Sequence, residues 1–515
     1  MARKNAKGRP SKERTTLPEP KKDEEKTTLV FFHPDLGIGG AERLVVDAAV
    51  GLQERGHRVV IFTNHCDPNH CFDECRDGKS PSSPSTANTL LRPGTLDVRV
   101  RGAMLFQMSI FNRLTILCAI LRHLHLLFII YVNGELAALE PHAIIVDQLS
   151  AGLPLIAYLC PAAPILFYCH FPDLLLARGR ESAVKRLYRW PFDALEQWSM
   201  TYAHTIAVNS LFTRDVVAKT WPKLIRQVPI RVVYPCVDTT VPKDKDLPKT
   251  LEGEKVLLSI NRFERKKDIG LAIKAFAAVP EGQRKGVRLV IAGGYDPRID
   301  ENVQHLKELQ SLASSLSLTH ATIASTDDIS SAPPIAEAPV LFLPSVPGPT
   351  KDALLRAARL LVYTPAAEHF GIVPLEAMLA RVPVLAATTG GPVETVRDGT
   401  TGWLRDTTDV QAWADVMSQA LSLTDAQARA IGEAGARRVR EGFGRDRMAE
   451  RLDYIVNEIR QWKPMDSYFV ALLVTLSVTA LTFVLGIGGA KAYWNIKEAV
   501  LAVWADVSEA SSQSA

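Results

Sequence analysis

The sequence lacks several features that would mark a narrow functional class. Its first 28 residues contain no apolar run, so they do not predict a signal peptide. The formal net charge of the 515 residues is only +4, which is too small and too spread to indicate a nucleic-acid partner. What is present is 47% hydrophobic and 23% charged residues, a composition typical of globular domains. The length allows two ordinary domains with additional segments.

Cysteine is scarce and odd in number, with seven residues that lie mostly in apolar runs. This usage favours a reducing compartment over a disulfide framework. One stretch concentrates histidine and cysteine, namely His65, Cys66, His70, Cys71 and Cys75. Its spacing matches no standard zinc pattern. We therefore predict no metal site.

Both ends of the chain differ from the middle. Residues 1–28 are polar and rich in proline and lysine, which predicts a disordered basic tail. Residues 468–490 carry no charge and are long enough to cross a hydrocarbon layer of ~30 Å, so they predict a transmembrane helix. Basic residues precede this run, which by the positive-inside rule predicts that the large N-terminal body faces the cytosol.

A second apolar stretch runs from residue 104 to residue 132, but it is interrupted by Arg113 and Arg122. Arginine is costly inside a bilayer, which disfavours a second membrane span. Two interpretations stay open for this stretch. It forms either an amphipathic helix lying in the membrane surface or a buried helix of the first domain.

The order of predicted elements indicates the α/β class. A strand at Thr28–His33, a glycine-containing loop, a helix and a strand at His57–Thr63 form the opening of a doubly wound domain. The pattern restarts with a strand at Lys255–Ile260. We therefore predict two Rossmann-like domains, at 29–235 and 240–440, with ligands in the cleft between them.

Smaller segments complete the predicted organisation. A helix at 446–462 leads to the transmembrane run. A Ser-, Ala- and Pro-rich segment at about 322–339 predicts a surface insertion in the second domain.

Glu368 and Glu376 flank a glycine and a proline between a strand-like and a helix-like run. The proline suits the first turn of that helix, so the amides of Gly371, Ile372 and Val373 are left to bind an anion. The carboxylates suit a polyhydroxyl group, and the combination suggests a sugar nucleotide. Two alternatives are carboxylates placed only to suit the helix dipole and a glycosidase acid/base pair.

Two further loops follow predicted strands. The first contains Gly39 and Gly40, which let backbone amides approach a phosphate or an acceptor. It does not fit G-x-G-x-x-G, which disfavours dinucleotide binding. The second carries Arg262, whose guanidinium group can form two parallel hydrogen bonds to a diphosphate, and Lys267, whose ammonium group adds a compact positive charge. The alternative for the first loop is a tight turn without a ligand, and the alternative for the second is a run of solvated charges.

His170 follows another first-domain strand, in the segment Tyr168–Asp173. At a strand end it is placed to donate to a sugar hydroxyl or to meet the acceptor. The alternative is a histidine with a structural role only.

Together these motifs resemble the retaining glycosyltransferases of family 4, which have the GT-B fold. The segments HPDLGIGGAERLVVDAA, YCHFPDLLL, SINRFERKKDIGLAI and EHFGIVPLEAM are similar to the mannosyltransferases of dolichol-linked oligosaccharide assembly that form α-1,3 and α-1,6 bonds. The resemblance covers about residues 28–462. Asp268 departs from the pattern, since many relatives have glycine there.

The resemblance implies roles for the residues singled out above. Glu376 would hold the ribose of GDP-mannose and Glu368 the donor mannose, while Arg262, Lys267 and the amides of Gly371–Val373 hold the diphosphate. His170 would lie beside the donor sugar, and Gly39 and Gly40 near phosphate and acceptor. No cofactor or metal is implied.

The implied partners are GDP-mannose, a dolichol-diphosphate-linked oligosaccharide, the endoplasmic reticulum membrane and other mannosyltransferases of the pathway. Two alternatives stay open. One is a family 4 enzyme with another lipid acceptor, such as a phosphatidylinositol mannosyltransferase, and the other is a catalytically inactive membrane scaffold.

Overall fold

A computed structural model of the protein describes residues 27–76, 96–102, 106–109, 114–176, 183–239, 255–323 and 333–462. The predicted transmembrane helix at 468–490 and nearly all of the predicted tail lie outside these residues. So do residues 104–105 and 110–113 of the apolar stretch, including Arg113, and half of the insertion at 322–339, namely residues 324–332.

The first domain is built on a seven-stranded parallel sheet in the order β3-β2-β1-β4-β5-β6-β7. Its central strands are continuous apolar runs because helices cover both faces. The strands are β1 Thr28–Leu36, β2 Arg58–Cys66, β3 Asp97–Val100, β4 Ala143–Asp147, β5 Ile165–Cys169, β6 Thr205–Val208 and β7 Ile230–Val232.

Eight helices belong to the described part of this domain: α1 Gly40–Glu54, α2 Asp73–Arg76, α3 Thr115–Val132, α4 Glu135–Leu139, α5 Leu153–Leu159, α6 Asp173–Leu176, α7 Ala183–Ser199 and α8 Leu211–Thr220. Helix α1 packs on the sheet with Leu44, Val45, Ala48 and Leu52 buried.

The second domain repeats the plan in the order β10-β11-β9-β8-β12-β13-β14, again with all strands parallel. Its strands are β8 Lys255–Ile260, β9 Val287–Gly293, β10 His320–Thr322, β11 Val340–Pro344, β12 Ala358–Tyr363, β13 Val384–Ala387 and β14 Gly402–Arg405. The prediction of two Rossmann-like domains is confirmed.

The helices after β8 are α9 Ile269–Ala278, α10 Glu281–Arg284, α11 Asp300–Ser315, α12 Gly348–Ala357, α13 Ile372–Leu379, α14 Pro392–Thr395, α15 Val410–Ser422, α16 Asp425–Gly442 and α17 Arg445–Ile459. In each sheet the chain order reverses beside the first strand of the domain, at β1 and at β8. Ligands of such sheets bind at the carboxyl ends of strands near this reversal.

The last described helix returns to the first domain. Helix α17 buries Met448, Leu452 and Ile455 in the core that α1 shares with the first sheet. Arg55 donates to Asp453 over 2.8 Å at the same contact. The helix predicted at 446–462 therefore exists, and its apolar face ties the end of the second domain to the first.

Helix α3 occupies the described part of the second apolar stretch. Leu126, Leu127 and Ile130 pack in the first-domain core, and Arg122 is buried and forms two hydrogen bonds with Asp35. Phe128, together with Tyr131 and Val132, is exposed. One face of α3 therefore packs in the core of the first domain, and the other face exposes apolar side chains.

Among the helices that the structure describes, α3 is also the one whose length and composition would allow it to cross a membrane.

Candidate functional site

The predicted site residues lie on the loops and in the first turns of the helices that follow four strands, where the two domains meet. Gly39 and Gly40 follow β1, His170 follows β5, Arg262 and Lys267 follow β8, and Glu368–Glu376 follow β12. The domains touch directly at this level. The ring of Phe171 stacks on His369 with centroids 3.8 Å apart, and Ser210 Oγ donates to the carbonyl of His369 over 2.5 Å. The structure thus gathers the loops of both domains in one region.

Lys267 and Glu368, predicted in separate motifs, form an ion pair through Nζ and Oε2. The hydroxyl of Tyr363 donates to the same carboxylate oxygen over 3.1 Å. Burial opposes the charged form of Glu368, but Lys267 and these hydrogen bonds outweigh it and lower the pKa of the carboxyl group. The cleft therefore holds an ionised carboxylate beside a fixed ammonium group.

The turn that carries Lys267 is held by a hydrogen bond to the second-domain sheet and is followed by a residue with left-handed backbone. Thr364 Oγ1 donates to the carbonyl of Lys267 over 2.7 Å, which attaches this turn to the end of β12. Asp268 follows with φ of 46° in the left-handed region. Glycine adopts this conformation without strain, so Asp268 departs from the family pattern at a position whose backbone favours glycine.

Helix α13 begins as predicted, with Pro374 in its first turn. Gly371 precedes it at φ 84°, and a Cβ there would lie 3.2 Å from the ring of Tyr363. The first amides of a helix have no intrahelical acceptor, so those of Ile372 and Val373 are left for a ligand or another partner. This helix start is a suitable place for an anion.

Glu376 is held by a residue that the sequence did not reveal. Lys351 Nζ of α12 lies 2.7 Å from Oε1. Within the described residues, Oε2 is buried without a hydrogen-bond partner. Buried polar atoms are nearly always satisfied in native proteins, so this oxygen is suited to accept from a ligand hydroxyl.

Arg262 also lies at the end of β8, but 61% of its side chain is exposed and its partner is Glu264 at 3.0 Å. Its charge still reaches the centre of the site. Burial, then Glu368 and Glu376, raise the pKa of Tyr363, whereas Arg262 acts in the opposite direction. Tyr363 therefore lies within electrostatic reach of both glutamates and Arg262.

His170 is held by Asp147, another residue absent from the predicted site. Nε2 of His170 lies 2.6 Å from Asp147 Oδ1, and Nδ1 of His33 lies 2.8 Å from Oδ2. Burial opposes the charged imidazole, but the attraction to Asp147 outweighs it and raises the pKa of His170. The pKa of Asp147 is lowered because the two histidines outweigh its burial.

The glycine loop after β1 joins the same group. Gly39 caps α1 in an extended conformation, and a Cβ on it would lie 2.2 Å from the carboxylate of Glu42. A Cβ on Gly40 would meet nothing within 4 Å. Glu42 is close enough to contribute to the raised pKa of His170. The carboxylate of Glu42 thus lies against Gly39, and the backbone at Gly40 is open to a ligand.

A second glycine pair, missed in the sequence, holds the Glu368 loop. Gly391 N, after β13, donates to the carbonyl of Glu368 over 2.8 Å. A Cβ on Gly391 would lie 2.2 Å from Phe370 Cα, and one on Gly390 would lie 2.7 Å from the Glu368 carbonyl oxygen. Only glycine allows this close packing of the two loops.

The cysteine-rich stretch forms a group of neighbouring thiols. Burial raises the pKa of Cys66 and Cys75 to about 12, which disfavours the thiolate that metals bind. In the part of the chain that the structure describes, no three histidine, cysteine or carboxylate side chains are grouped to hold a metal ion.

We expect Gly391→Ala to lower the free energy of unfolding by at least about 2 kcal/mol, because its Cβ would collide with backbone that cannot yield cheaply. Tm should fall by roughly 4 °C or more. Gly442→Ala is the control, since a Cβ there meets nothing within 4 Å. Equal melting temperatures for the two variants would contradict the crowding argument.

Comparison with known proteins agrees with this geometry. Residues 38–241 match the family "Glycosyltransferase Family 4", and residues 242–326 and 336–438 match "Glycosyl transferases group 1". The proteins named alpha-1,3/1,6-mannosyltransferase of Neurospora crassa and Schizosaccharomyces pombe are 51% and 47% identical to the chain. The alignments cover 92% and 85% of the chain, and 98% and 82% of those proteins.

Among solved structures, the sucrose-phosphate synthase of Thermosynechococcus elongatus is similar in fold, with a TM-score of 0.59 and 18% identity. That likeness covers 84% of the chain and 99% of the synthase. The chain therefore belongs to glycosyltransferase family 4, with the GT-B fold, and groups with the fungal proteins named alpha-1,3/1,6-mannosyltransferase.

Proposed function

We propose that the protein transfers mannose from GDP-mannose to Man-GlcNAc2-diphosphodolichol, first forming an α-1,3 bond and then an α-1,6 bond on the product. The names of its fungal relatives support this reaction. The observation that carries the proposal is Oε2 of Glu376, which is buried one turn after an anion-binding helix start and has no hydrogen-bond partner among the described residues. A diol beside a diphosphate satisfies both features, as in a nucleoside-diphosphate sugar.

Binding of the donor is assigned to the second domain. The ribose hydroxyls donate to Glu376, whose other oxygen Lys351 already holds. The diphosphate lies at the amides of Gly371–Val373, with Lys267 and Arg262 supplying positive charge. Glu368 accepts from hydroxyls of the mannose, which is the role that an ionised carboxylate suits.

The chemistry needs charge stabilisation more than proton transfer to the leaving group. Negative charge grows on the GDP oxygen as the glycosidic bond breaks. Donors already fixed around that oxygen stabilise the transition state without reorganising. Lys267 is fixed in this way by Glu368 and by the turn attached to Thr364. We assign retention of configuration and attack from the face that GDP leaves, as is usual for the family.

The acceptor approaches from the first domain. His170 and the open backbone at Gly40 lie at the carboxyl ends of β5 and β1, opposite the donor loops. His170 meets a hydroxyl of the donor or acceptor sugar, and Gly40 lies near the acceptor diphosphate. These contacts leave the donor site intact when a longer acceptor enters for the second transfer.

We also propose that the protein works at the endoplasmic reticulum membrane with both domains in the cytosol. A dolichol acceptor stays in the bilayer, so the cleft must be kept near its surface. The exposed apolar side chains of α3, Phe128 with Tyr131 and Val132, suit contact with that surface. The segment at 468–490 serves as the anchor, and neighbouring mannosyltransferases of the pathway are candidate partners.

Incubation with GDP-mannose and a Man-GlcNAc2 diphospholipid, followed by linkage analysis, tests the reaction. We expect GDP release with one α-1,3 mannose and then one α-1,6 mannose on the lipid product. Transfer to phosphatidylinositol instead would favour another lipid acceptor. Absence of GDP release with either lipid would favour an inactive scaffold and overturn the proposal.

We expect Glu376→Gln to raise the KM for GDP-mannose by roughly 10- to 100-fold, because hydrogen bonds to a charged group contribute about 1.5–3 kcal/mol. Steady-state kinetics at saturating lipid acceptor would measure the change. Glu433→Gln is the control, since Glu433 is an exposed carboxylate paired with Arg381. An unchanged KM for Glu376→Gln would contradict the ribose assignment.

Deletion of residues 464–515 should reduce both co-sedimentation with membranes and transfer to the dolichol acceptor, because it removes the proposed anchor. Transfer to a soluble, short-chain acceptor should fall much less, since the deletion begins after α17. Normal membrane binding together with normal transfer to dolichol would contradict the anchor.

A further inference from the structure

Behind His170, the two buried groups Asp147 and His33 have no part in the reaction proposed above. Each has a side chain that is 1% exposed, and they lie on the neighbouring strands β4 and β1. An ionised carboxylate is costly to bury unless it is paired and hydrogen-bonded. The chain places Asp147 directly behind His170, the first-domain side chain that we assign to contact with substrate.

The hydrogen bonds determine where the protons of His33 lie. Its Nε2 is 3.1 Å from the carbonyl oxygen of Asp35, which can only accept. Its Nδ1 is 2.8 Å from Asp147 Oδ2, which also only accepts when Asp147 is ionised. Nδ1–H of His33 therefore donates to Asp147 and holds its carboxylate in place.

For His170 the hydrogen bonds fix the position of the residue and the hydrogen on Nε2. Asp147 Oδ1 accepts from its Nε2 over 2.6 Å, and the backbone carbonyl of His170 accepts from Asn209 Nδ2 over 3.0 Å. Ring and backbone are therefore both fixed. Nδ1 is the ring nitrogen left for a ligand, since it has no hydrogen-bond partner among the residues described.

We propose that Asp147 and His33 are positioning residues for the transfer reaction, which keep the imidazole of His170 cationic with Nδ1–H available to a substrate oxygen. This assignment rests on the proposed function. A cationic donor forms a stronger hydrogen bond to a sugar hydroxyl or a phosphate oxygen than a neutral one does.

The groups that face His170 favour this state. Asp147 faces it from β4 and Glu42 from α1, and both raise its pKa against the effect of burial. The ring of Tyr168 lies 4.9 Å away on β5. From the second domain comes His369, whose pKa burial lowers to about 4, so it is neutral and does not repel a cation at physiological pH.

Asp147→Asn and His33→Gln are the variants that test the proposal. In the full-length protein with histidine-selective ¹⁵N labelling, and with His170→Gln to assign the signal, we expect His170 to titrate at lower pH in Asp147→Asn than in the unsubstituted protein. His33→Gln keeps a donor to Asp147, so it should change the titration less.

Transfer kinetics provide the second measurement. We expect kcat to fall by roughly 10- to 100-fold in Asp147→Asn, with the KM for GDP-mannose within about twofold. The alkaline limb of the kcat–pH profile should move to lower pH. Asp453→Asn is the matched control, because Asp453 is a buried carboxylate 3.3 Å from His57 and belongs to the contact of α17 with the first domain.

The two measurements separate failure of this proposal from failure of the proposed function. An unchanged His170 titration in Asp147→Asn, or an equal loss of kcat in Asp453→Asn, would overturn the positioning role. If Asp147→Asn does not fold, an unchanged titration in His33→Gln would overturn it. If His170 titrates as expected but the protein transfers no mannose, the pairing of His170 with Asp147 is confirmed and the proposed reaction is wrong.

Discussion

The segment Glu368–Gly371 is held by both domains at once, and the arrangement of the site depends on this. From its own domain, Gly391 N donates to the carbonyl of Glu368. From the other domain, Phe171 stacks on His369, Ser210 donates to its carbonyl, and the ring of Tyr234, in the segment after β7, stacks on Phe370. This short loop therefore fixes the carboxylate of Glu368, the start of α13 and the distance of both from His170. Since packed contacts of this kind have few alternative arrangements, a shift in one group moves the others.

The positions of the site residues could be predicted from the sequence, whereas their partners could not. Parallel strands all end at one edge of a sheet, so residues after β1, β5, β8 and β12 had to lie near the cleft. The ion pair of Lys267 with Glu368 depends on how two loops lie in space, which spacing along the chain does not contain. Lys351 was missed for the same reason, because its helix shows no motif and contacts Glu376 only after folding.

Asp147 and His33 illustrate a different difficulty. Both lie within or at the end of apolar strands, where a polar residue looks like a minor interruption of the pattern. The informative signal is a carboxylate that ends a fully buried strand next to another strand that carries a histidine. Burial of such a residue requires a partner, and the strand order then determines which residue that is. The departure at Asp268 was visible in the sequence, but its meaning came from the left-handed conformation.

The division of contacts between the domains bears on how one cleft makes two linkages. The groups assigned to the donor's nucleotide, from Arg262 to Glu376, belong to the second domain, and the ion pairs of Lys267 and of Glu376 form within it. His170 and Gly40 belong to the first domain, and neither is assigned to contact the nucleotide of the donor. In the proposed reaction, the anomeric carbon and the leaving nucleotide therefore keep one geometry in both transfers. The choice between an α-1,3 and an α-1,6 bond then depends only on which acceptor hydroxyl the first domain presents, and a longer acceptor changes that presentation without altering donor binding.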